Sequence, residues 1–430
     1  MLKTGFSLQV LLLALLLSCA GKNRTIKSRF TIIYNVNIVD VLHNRIIEKQ
    51  DVYIENAKIA RIENSSGSLS SGQSIIDATG RYLMPGLWDM HIHLAWQKGN
   101  DSLIFPAFIK NGITGLRDMG GDLELLNAFK QSSIKNNGPF LAGAGPIIDG
   151  FPPVHQDFSL SVNPNLNLPN SLDSLRQNGA DFFKTYSLLR ESDLRIIAGY
   201  AKKTNTRFAG HLSEYVKPEL QIQLGMSSVE HLNRLEELWP AEMKRLDTIS
   251  MLMVQHKTFL CPTLITYFLK TKIRDSSVAK PRYEKYIPSS LKQEWQSIWT
   301  RRKKKLAEDN NPDYLDLRFK QQLQLVGYLK ERGVIFLAGS DFAGMPYVYP
   351  GLSLHEELLL LKKAGLSDFE ALQSATINPA LFLGIDNHYG SVNPGKYADL
   401  VMLEDNPLEN IMNTGLIFMV FKNGRKVYQK

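Results

Sequence analysis

Short runs of alternating hydrophobic and polar residues occupy both ends of the chain. They lie at residues 31–36, 52–54, 59–62, 74–76, 396–403 and 415–428. A period of two predicts β-strands with one buried face, and Asn423 and Gly424 within the last run favour a tight hairpin turn. The pattern therefore predicts one small β-sandwich domain assembled from residues 28–81 and 388–430.

The middle of the chain, residues 82–387, alternates short apolar runs with segments of helical length. Eight of these runs are strand candidates, at residues 87–94, 114–119, 140–148, 182–187, 207–212, 228–232, 259–265 and 334–342. Runs that are apolar at consecutive positions predict parallel strands covered by helices. We therefore expect an α/β fold, a (β/α)8 TIM barrel, in which the active site lies at the C-terminal ends of the strands.

One segment is too long for a single strand-and-helix unit of such a barrel. Residues 236–330 show a helical pattern that includes Trp239, Trp295 and Trp299, with a break between Pro281 and Pro288. We expect a helical insertion near residues 236–330. It either covers the mouth of the barrel as a lid or packs in the outer ring of helices.

The composition is typical of a globular protein, with 44% apolar and 21% charged residues among 430. Disorder, collagen and coiled coil are therefore excluded for the chain as a whole. The net charge of +8 is the difference between 50 basic and 42 acidic residues, so we expect no nucleic-acid partner. The densest basic run, Arg301 to Lys305, has no interleaved aromatic residues and indicates a solvated helix face.

The N-terminus resembles a bacterial lipoprotein signal. Lys3 precedes an apolar run from Leu11 to Leu17, which is too short to span a bilayer and ends just before Cys19. We expect residues 1–19 to be a signal peptide with a lipobox, and the protein to be exported and lipid-anchored to the bacterial cell envelope, facing the periplasm or the exterior. A secretory signal cleaved near Ala20 is the alternative. Lipidation of Cys19 leaves Cys261 without a disulfide partner.

Two histidines end the first predicted barrel strand. In His91-Ile92-His93 the imidazoles are two positions apart, so they point to the same side of the strand, into the barrel. Neutral imidazole is a good ligand for zinc. Other predicted strands end in further polar residues, which are Lys184, His211, His231 and Asp341.

Lys184 is the charged residue in the apolar run from Phe182 to Tyr186. A buried ammonium is costly unless it is paired or neutralised. It pairs with an acid such as Asp118, or it reacts with carbon dioxide to form a carbamate that can bridge two metal ions. The histidines at other strand ends favour the carbamate.

Several segments closely resemble motifs of the amidohydrolase superfamily. They are Met84 to His93 (the opening motif), Gly112 to Asp118 (GxTxxRD), Gly179 to Lys184 (the bridging lysine), Ser228 to His231 (SxEH), Gly339 to Asp341 (GTD), and Ala375 to Ala380 with Gly390 to Val401 (the closing helix and the return to the small domain). The resemblance covers about residues 31–428 and points to the imidazolonepropionase-like and Xaa-Pro dipeptidase-like branch. Ser340 in place of Thr, and Leu212 after His211, depart from the family pattern and leave the substrate open.

The resemblance implies a binuclear metal-dependent amidohydrolase that cleaves an amide or peptide C–N bond. His91, His93 and Asp341 would hold one divalent ion and His211 and His231 the other, with zinc as the expected metal. Carboxylated Lys184 and a hydroxide would bridge the ions. The hydroxide would attack the amide, and Asp341 would transfer a proton to the leaving amine. The expected substrate is a dipeptide of the Xaa-Pro type or an N-acyl amino acid.

Residues near the barrel mouth are expected to contact the substrate, and these are His155, Tyr186 and Tyr267. Asp89 either orients His91 or packs inside the barrel. The histidines away from strand ends are expected at the surface or at helix caps: His43, His256, His355 and His388. Two alternatives stay open. One is a deaminase or lactonase on the same scaffold, although family deaminases typically use one metal ion and lack the bridging lysine; the other is an inactive metal-binding surface lipoprotein. The sequence is compatible with a homo-oligomer.

Overall fold

A computed structural model describes residues 30–67, 74–96, 101–275, 278–308 and 313–430. The strands are β1 (Thr31–Asp40), β2 (Arg45–Glu55), β3 (Lys58–Asn64), β4 (Ser74–Asp77), β5 (Tyr82–Pro85), β6 (Leu87–Ile92), β7 (Ile113–Asp118), β8 (Phe140–Gly143), β9 (Ile147–Gly150), β10 (Ser159–Val162), β11 (Phe182–Thr185), β12 (Arg207–Gly210), β13 (Ser228–Glu230), β14 (Phe259–Cys261), β15 (Leu400–Leu403), β16 (Ile417–Lys422) and β17 (Arg425–Gln429). The predicted signal peptide, residues 1–19, lies outside the described residues.

The helices surround the barrel strands and also form the insertion. They are α1 (Asp101–Lys110), α2 (Leu123–Asn136), α3 (Leu168–Gln177), α4 (Glu191–Thr204), α5 (Pro218–Gln223), α6 (Met243–His256), α7 (Leu264–Thr271), α8 (Pro281–Glu284), α9 (Ser289–Ala307), α10 (Tyr314–Glu331), α11 (Leu352–Lys363), α12 (Asp368–Ser374) and α13 (Ile377–Leu383). Within the described ranges, none of them has the length and apolar character needed to cross a bilayer.

Strands from both ends of the chain form one hydrogen-bonded sheet, in the order β17-β16-β15-β5-β1-β2-β3, with β4 beside β1. Strand β5 joins the two ends, because it pairs with β1 on one side and with β15 on the other. The core of this domain combines Ile33 and Val52 with Leu400 and Phe421. The predicted β-domain built from both termini is confirmed. Its limits, 28–81 and 388–430, and those of the barrel, 82–387, stay predictions.

The predicted hairpin turn is present between β16 and β17. Asn423 has a φ of 50° and Gly424 a φ of 72°. A two-residue type I′ turn needs a positive φ at both central positions, and Asn-Gly supplies this at low cost.

The middle of the chain forms the predicted barrel of parallel strands. β6, β7 and β8 form one run of paired strands, and β9, β11, β12, β13 and β14 form the next, with β10 outside β9. The predicted third strand, residues 140–148, is divided into β8 and β9. Gly145, with a φ of 69°, interrupts the extended backbone, and Pro146 has no N–H group to continue the ladder.

The eighth barrel segment is irregular, in contrast to the predicted strand at residues 334–342. It closes the barrel through isolated parallel bridges from Phe336 to Leu260 and from Phe342 to Ile92. The positive φ of Asp341, 61°, interrupts a regular ladder. A Cβ atom at Gly339 would lie 2.6 Å from the Cβ of His91, so glycine permits the first and last segments to meet.

The insertion is shorter than predicted. Helix α6 is the crossover between β13 and β14, so it belongs to a regular unit of the barrel. Four helices, α7 to α10, follow β14 before the eighth barrel segment, where a regular unit has one. The predicted range of 236–330 therefore begins too early, because the hydrophobic pattern of a crossover helix does not differ from that of an inserted one.

Candidate active site

The barrel brings the predicted polar residues together at the C-terminal ends of its strands. The ring centre of His91 lies 5.3 Å from that of His93 and 4.6 Å from that of His231, and the rings of His231 and His211 are 4.8 Å apart. Lys184, the third residue of β11, lies beside this group, and Asp341 reaches it from the eighth segment. Residues up to 250 positions apart in sequence thus share one space.

Hydrogen bonds fix the protonation of the imidazoles. Nδ1 of His91 lies 2.7 Å from a carboxylate oxygen of Glu230, and Nδ1 of His93 lies 3.0 Å from the carbonyl of Gly120. Since both partners accept, we assign the proton to Nδ1 and a lone pair to Nε2. These partners orient the rings as ligands.

The ring of His231 is fixed in the same way by Thr263. The Thr263 hydroxyl donates to the carbonyl of Pro262 at 2.8 Å, so it accepts a hydrogen bond from Nδ1 of His231, 2.6 Å away. Burial lowers the pKa of His231, as it does those of His91, His93 and His211. All four rings are therefore neutral at pH 7, the form that binds a metal ion.

The geometry around Asp341 fits a shared divalent ion. Its Oδ1 atom lies 3.6 Å from Nε2 of His91 and 3.5 Å from Nε2 of His93. Ligand atoms bound to one tetrahedral ion at ~2.1 Å are separated by ~3.4 Å. Burial raises the pKa of Asp341 to about 7, against the opposing effect of the Lys184 charge. A cation at this position would stabilise the carboxylate.

The Nζ atom of Lys184 is buried and has no hydrogen-bond partner among the described residues, and the same is true of Nε2 of His91. Asp118 does not pair with Lys184, because its carboxylate accepts from the backbone N–H groups of Ala95 at 2.9 Å and Gly120 at 3.0 Å. The alternative of a Lys184–Asp118 pair is therefore wrong. Burial lowers the pKa of Lys184 to about 8, which increases the fraction of uncharged amine. A carbamate on Lys184 and a metal ion at Nε2 of His91 would provide partners for these two atoms.

A buried ion pair between Arg117 and Glu230 holds the Nδ1 side of the His91 ring. Arg117 donates to both carboxylate oxygens of Glu230, at 2.8 and 2.9 Å, and to the carbonyl of Met90 at 2.5 Å. His91, Glu230 and Cys261 also lie close together. Because the oxygens of Glu230 already accept from Arg117 and His91, we assign these three residues a structural role and not a metal site. Sequence reasoning identified Glu230 only as part of a motif, because its bond to His91 spans 139 positions.

Asp89 does not orient the imidazole of His91. Its carboxylate accepts from the backbone N–H of Ser340 at 2.9 Å and from its hydroxyl at 2.5 Å, and it is 3.3 Å from the backbone N of His91. Asp89 therefore joins the first and eighth barrel segments. Ser340, which departs from the family's usual Thr, retains the hydroxyl that this bond requires.

Aromatic side chains surround the cluster on its open side. Nε2 of His155 lies 3.0 Å from the hydroxyl of Tyr186, whose ring stacks on His211 at 3.9 Å. Trp96 stacks on His93 at 4.1 Å. Burial lowers the pKa of His155 and raises that of Tyr186, so both are neutral at pH 7. Their half-buried positions at the mouth suit the predicted substrate contacts.

Tyr267 and His355 lie deeper than expected. The Tyr267 hydroxyl accepts from the N–H of Leu232 at 3.1 Å and lies 3.4 Å from the amide oxygen of Asn233, so it supports the loop after His231. His355 was predicted at the surface or at a cap. It is buried, and hydrogen bonds from its two ring nitrogens to Thr414 and to the carbonyl of Asn111 compensate for the loss of water.

The chain is similar to known proteins over most of its length. The sequence model of the Amidohydrolase family matches residues 82–427. The chain belongs to the amidohydrolase family. An adenine deaminase of Clostridium botulinum (strain 657 / Type Ba4) is 21% identical over 411 residues, which are 91% of this chain and 57% of the deaminase. The chain thus spans little more than half the length of this amidohydrolase relative.

Solved structures with the same fold include two peptidases. A Xaa-Pro dipeptidase with bound methionine in the active site has a TM-score of 0.72 and 18% identity, over 93% of this chain and 100% of the dipeptidase. A prolidase complexed with N-methylphosphonate-L-proline has a TM-score of 0.71 and 20% identity, over 93% of this chain and 100% of the prolidase. The predicted fold class and the resemblance to the dipeptidase-like branch are confirmed. Family membership supports a metal-dependent hydrolase of C–N bonds.

Proposed function

We propose that the protein is a binuclear metal-dependent amidohydrolase that cleaves the C–N bond of a Xaa-Pro-type dipeptide or an N-acyl amino acid. One observation above all supports this proposal. Four neutral histidines, Asp341 and an unpartnered Lys184 surround a single space at the strand ends. The peptidases with the same fold support a peptide-like substrate.

The residues present fit two divalent ions, with zinc as the proposed metal. His91, His93 and Asp341 would hold one ion, and His211 and His231 the other, with carboxylated Lys184 between them. Bound divalent ions supply a Lewis acid for the scissile carbonyl and lower the pKa of water.

The chain itself provides proton transfer and orientation. Asp341 accepts the proton of the attacking water and delivers it to the leaving amine. His155 and Tyr186 share one hydrogen bond, so one of the two has a free N–H or O–H group that donates to the substrate at the mouth. Trp96 covers the ring of His93, which excludes water from one side of the site.

Metal analysis combined with a substrate panel tests this proposal. We expect about two metal ions per chain, and release of free amino acids from Xaa-Pro dipeptides or N-acetyl amino acids. A chelator should abolish this release, and added zinc should restore it. Two bound ions without turnover of any member of the panel would favour the inactive surface lipoprotein.

A deaminase is the second candidate, because the adenine deaminase of Clostridium botulinum aligns over 91% of this chain. Ammonia release from adenine, together with one metal ion per chain, would support it and contradict the binuclear peptidase. Lys184 weighs against a deaminase. A carbamate between two metal ions accounts for its unpartnered Nζ atom, whereas a site with one ion does not.

A further inference from the structure

Two half-buried cations at the barrel mouth have no acidic partner within the described part of the chain. Nζ of Lys270, in α7, lies 4.9 Å from the ring centre of Tyr267. Arg302, in α9, donates to the sulfur of Met345 at 2.9 Å. An aromatic face and a thioether are weak partners that leave each positive charge uncompensated. The neighbouring Arg318, by contrast, is paired with Glu236.

The insertion positions Arg302 beside the eighth barrel segment. Trp295, Trp299 and Arg302 are spaced by four and three residues, so they share one face of α9. The ring of Trp299 packs 4.9 Å from that of Tyr347. The N–H of Met345 donates to the carbonyl of Asp341 at 3.2 Å, so Arg302 lies against the turn that follows this proposed metal ligand.

The same region positions Lys270 near the end of the sixth barrel strand. Tyr267 and Lys270 are three positions apart in α7, on one face of the helix. The Tyr267 hydroxyl accepts from the N–H of Leu232, the residue after His231. Lys270 therefore lies over the ring of Tyr267, and the hydroxyl of that ring contacts the loop that follows His231, a second proposed metal ligand.

The charge balance at the mouth calls for an anion. Asp341 is an acid whose charge acts on both Lys270 and Arg302, but a metal ion would compensate that charge. Two further cations then face a site of residual positive potential. A substrate carboxylate would neutralise them, and charge-assisted hydrogen bonds to partly buried cations are strong.

We propose that Lys270 and Arg302 form the subsite for a free carboxylate of the substrate, and that the helical insertion supplies this subsite. This inference rests on the proposed function and deepens it. The substrate would be a dipeptide or N-acyl amino acid with a free α-carboxylate. Arg302 would be the one member of the basic run 301–305 that turns from solvent toward the site, since its neighbours are exposed.

Binding of an inert probe to the metal-loaded full chain tests the subsite. The probe is N-methylphosphonate-L-proline, compared by calorimetry with its carboxamide. We expect the wild type to prefer the acid at least ~10-fold, equivalent to ~1.4 kcal/mol. Lys270→Met and Arg302→Met should each reduce this preference to about threefold or less. Lys272→Met, two positions after Lys270, and Arg301→Met, beside Arg302, are matched controls that should retain it.

The outcomes separate the subsite from the proposed reaction. Equal binding of acid and amide by the wild type, no binding of either, or an unchanged preference in both variants would overturn the subsite. A carboxylate preference that depends on Lys270 and Arg302, without hydrolysis of any dipeptide or N-acyl amino acid, would support the subsite and contradict the proposed function. With a hydrolysed dipeptide, amidation should reduce kcat/KM at least ~10-fold in the wild type and less in the variants.

Discussion

Thr263 decides which nitrogen of His231 is available to a metal ion. Thr263→Val retains the shape of the side chain but removes the acceptor for Nδ1, so we expect metal affinity to fall at least ~10-fold. Thr263→Ser retains the hydroxyl and should bind metal as the wild type does. Competition with a chromophoric chelator measures the affinity, and circular dichroism checks the fold. Equal affinities for the Val and Ser variants would contradict the role of Thr263.

Lys184 is proposed to be carboxylated. Lys184→Ala should lose at least one metal ion and most activity, because the anion between the ions is missing. Acetate added to the buffer should restore part of both by occupying the vacated position, whereas chloride should not. The bridge would be wrong if the variant retained two ions and near-normal turnover. It would also be wrong if the intact protein, saturated with metal and bicarbonate, showed only the mass of an unmodified lysine.

The ligand positions could be predicted from the sequence, whereas their supports could not. In a parallel barrel the C-terminal ends of all strands lie at the same face. A polar residue at the end of an apolar run is therefore expected at that face. This reasoning identified Lys184 and Asp341. It could not identify Glu230 as the partner of His91, because a bond between side chains 139 positions apart leaves no local pattern.

At the scale of secondary structure, predictions failed where the backbone departs from its regular form. The third strand is interrupted at Gly145 and Pro146, and the eighth segment at Asp341. An apolar run predicts an extended segment, but it does not report where a single residue adopts a positive φ. That irregularity coincides with the proposed active site, because Asp341 must turn toward the histidines.

The sheet built from both ends of the chain contains a buried ion pair, whose contribution to stability can be measured by unfolding. Nζ of Lys422, in β16, donates to Asp399 at 2.6 Å, and both side chains are at most 5% exposed. Lys422→Met should lower the free energy of unfolding by ~3–5 kcal/mol, because an uncompensated carboxylate remains buried. Lys430→Met, which breaks an exposed pair with Glu404, should cost at most ~1 kcal/mol. Urea denaturation measures both. A similar small loss in the two variants would contradict this assignment.

For the molecule as a whole, we propose export and lipid anchoring, on the basis of the apolar run that ends at Ser18 and Cys19. Cys19→Ser should release the protein from the membrane fraction or block its maturation, since the acyl chains have no attachment site. Fractionation and the mass of the mature N-terminus provide the measurement, with Ser18→Ala as a control. Unchanged processing and membrane association in Cys19→Ser would contradict the anchor.

The position of β5 between β1 and β15 also affects how the protein can be made. About 300 residues separate Pro85 from Leu400, and a ribosome adds roughly 5–20 residues per second. For roughly 15 to 60 s, therefore, the nascent chain holds a strand whose second edge has no neighbour. Such an edge pairs readily with other chains. Truncated translation products should for this reason aggregate, and a chaperone that shields the N-terminal strands should raise the yield of full-length protein.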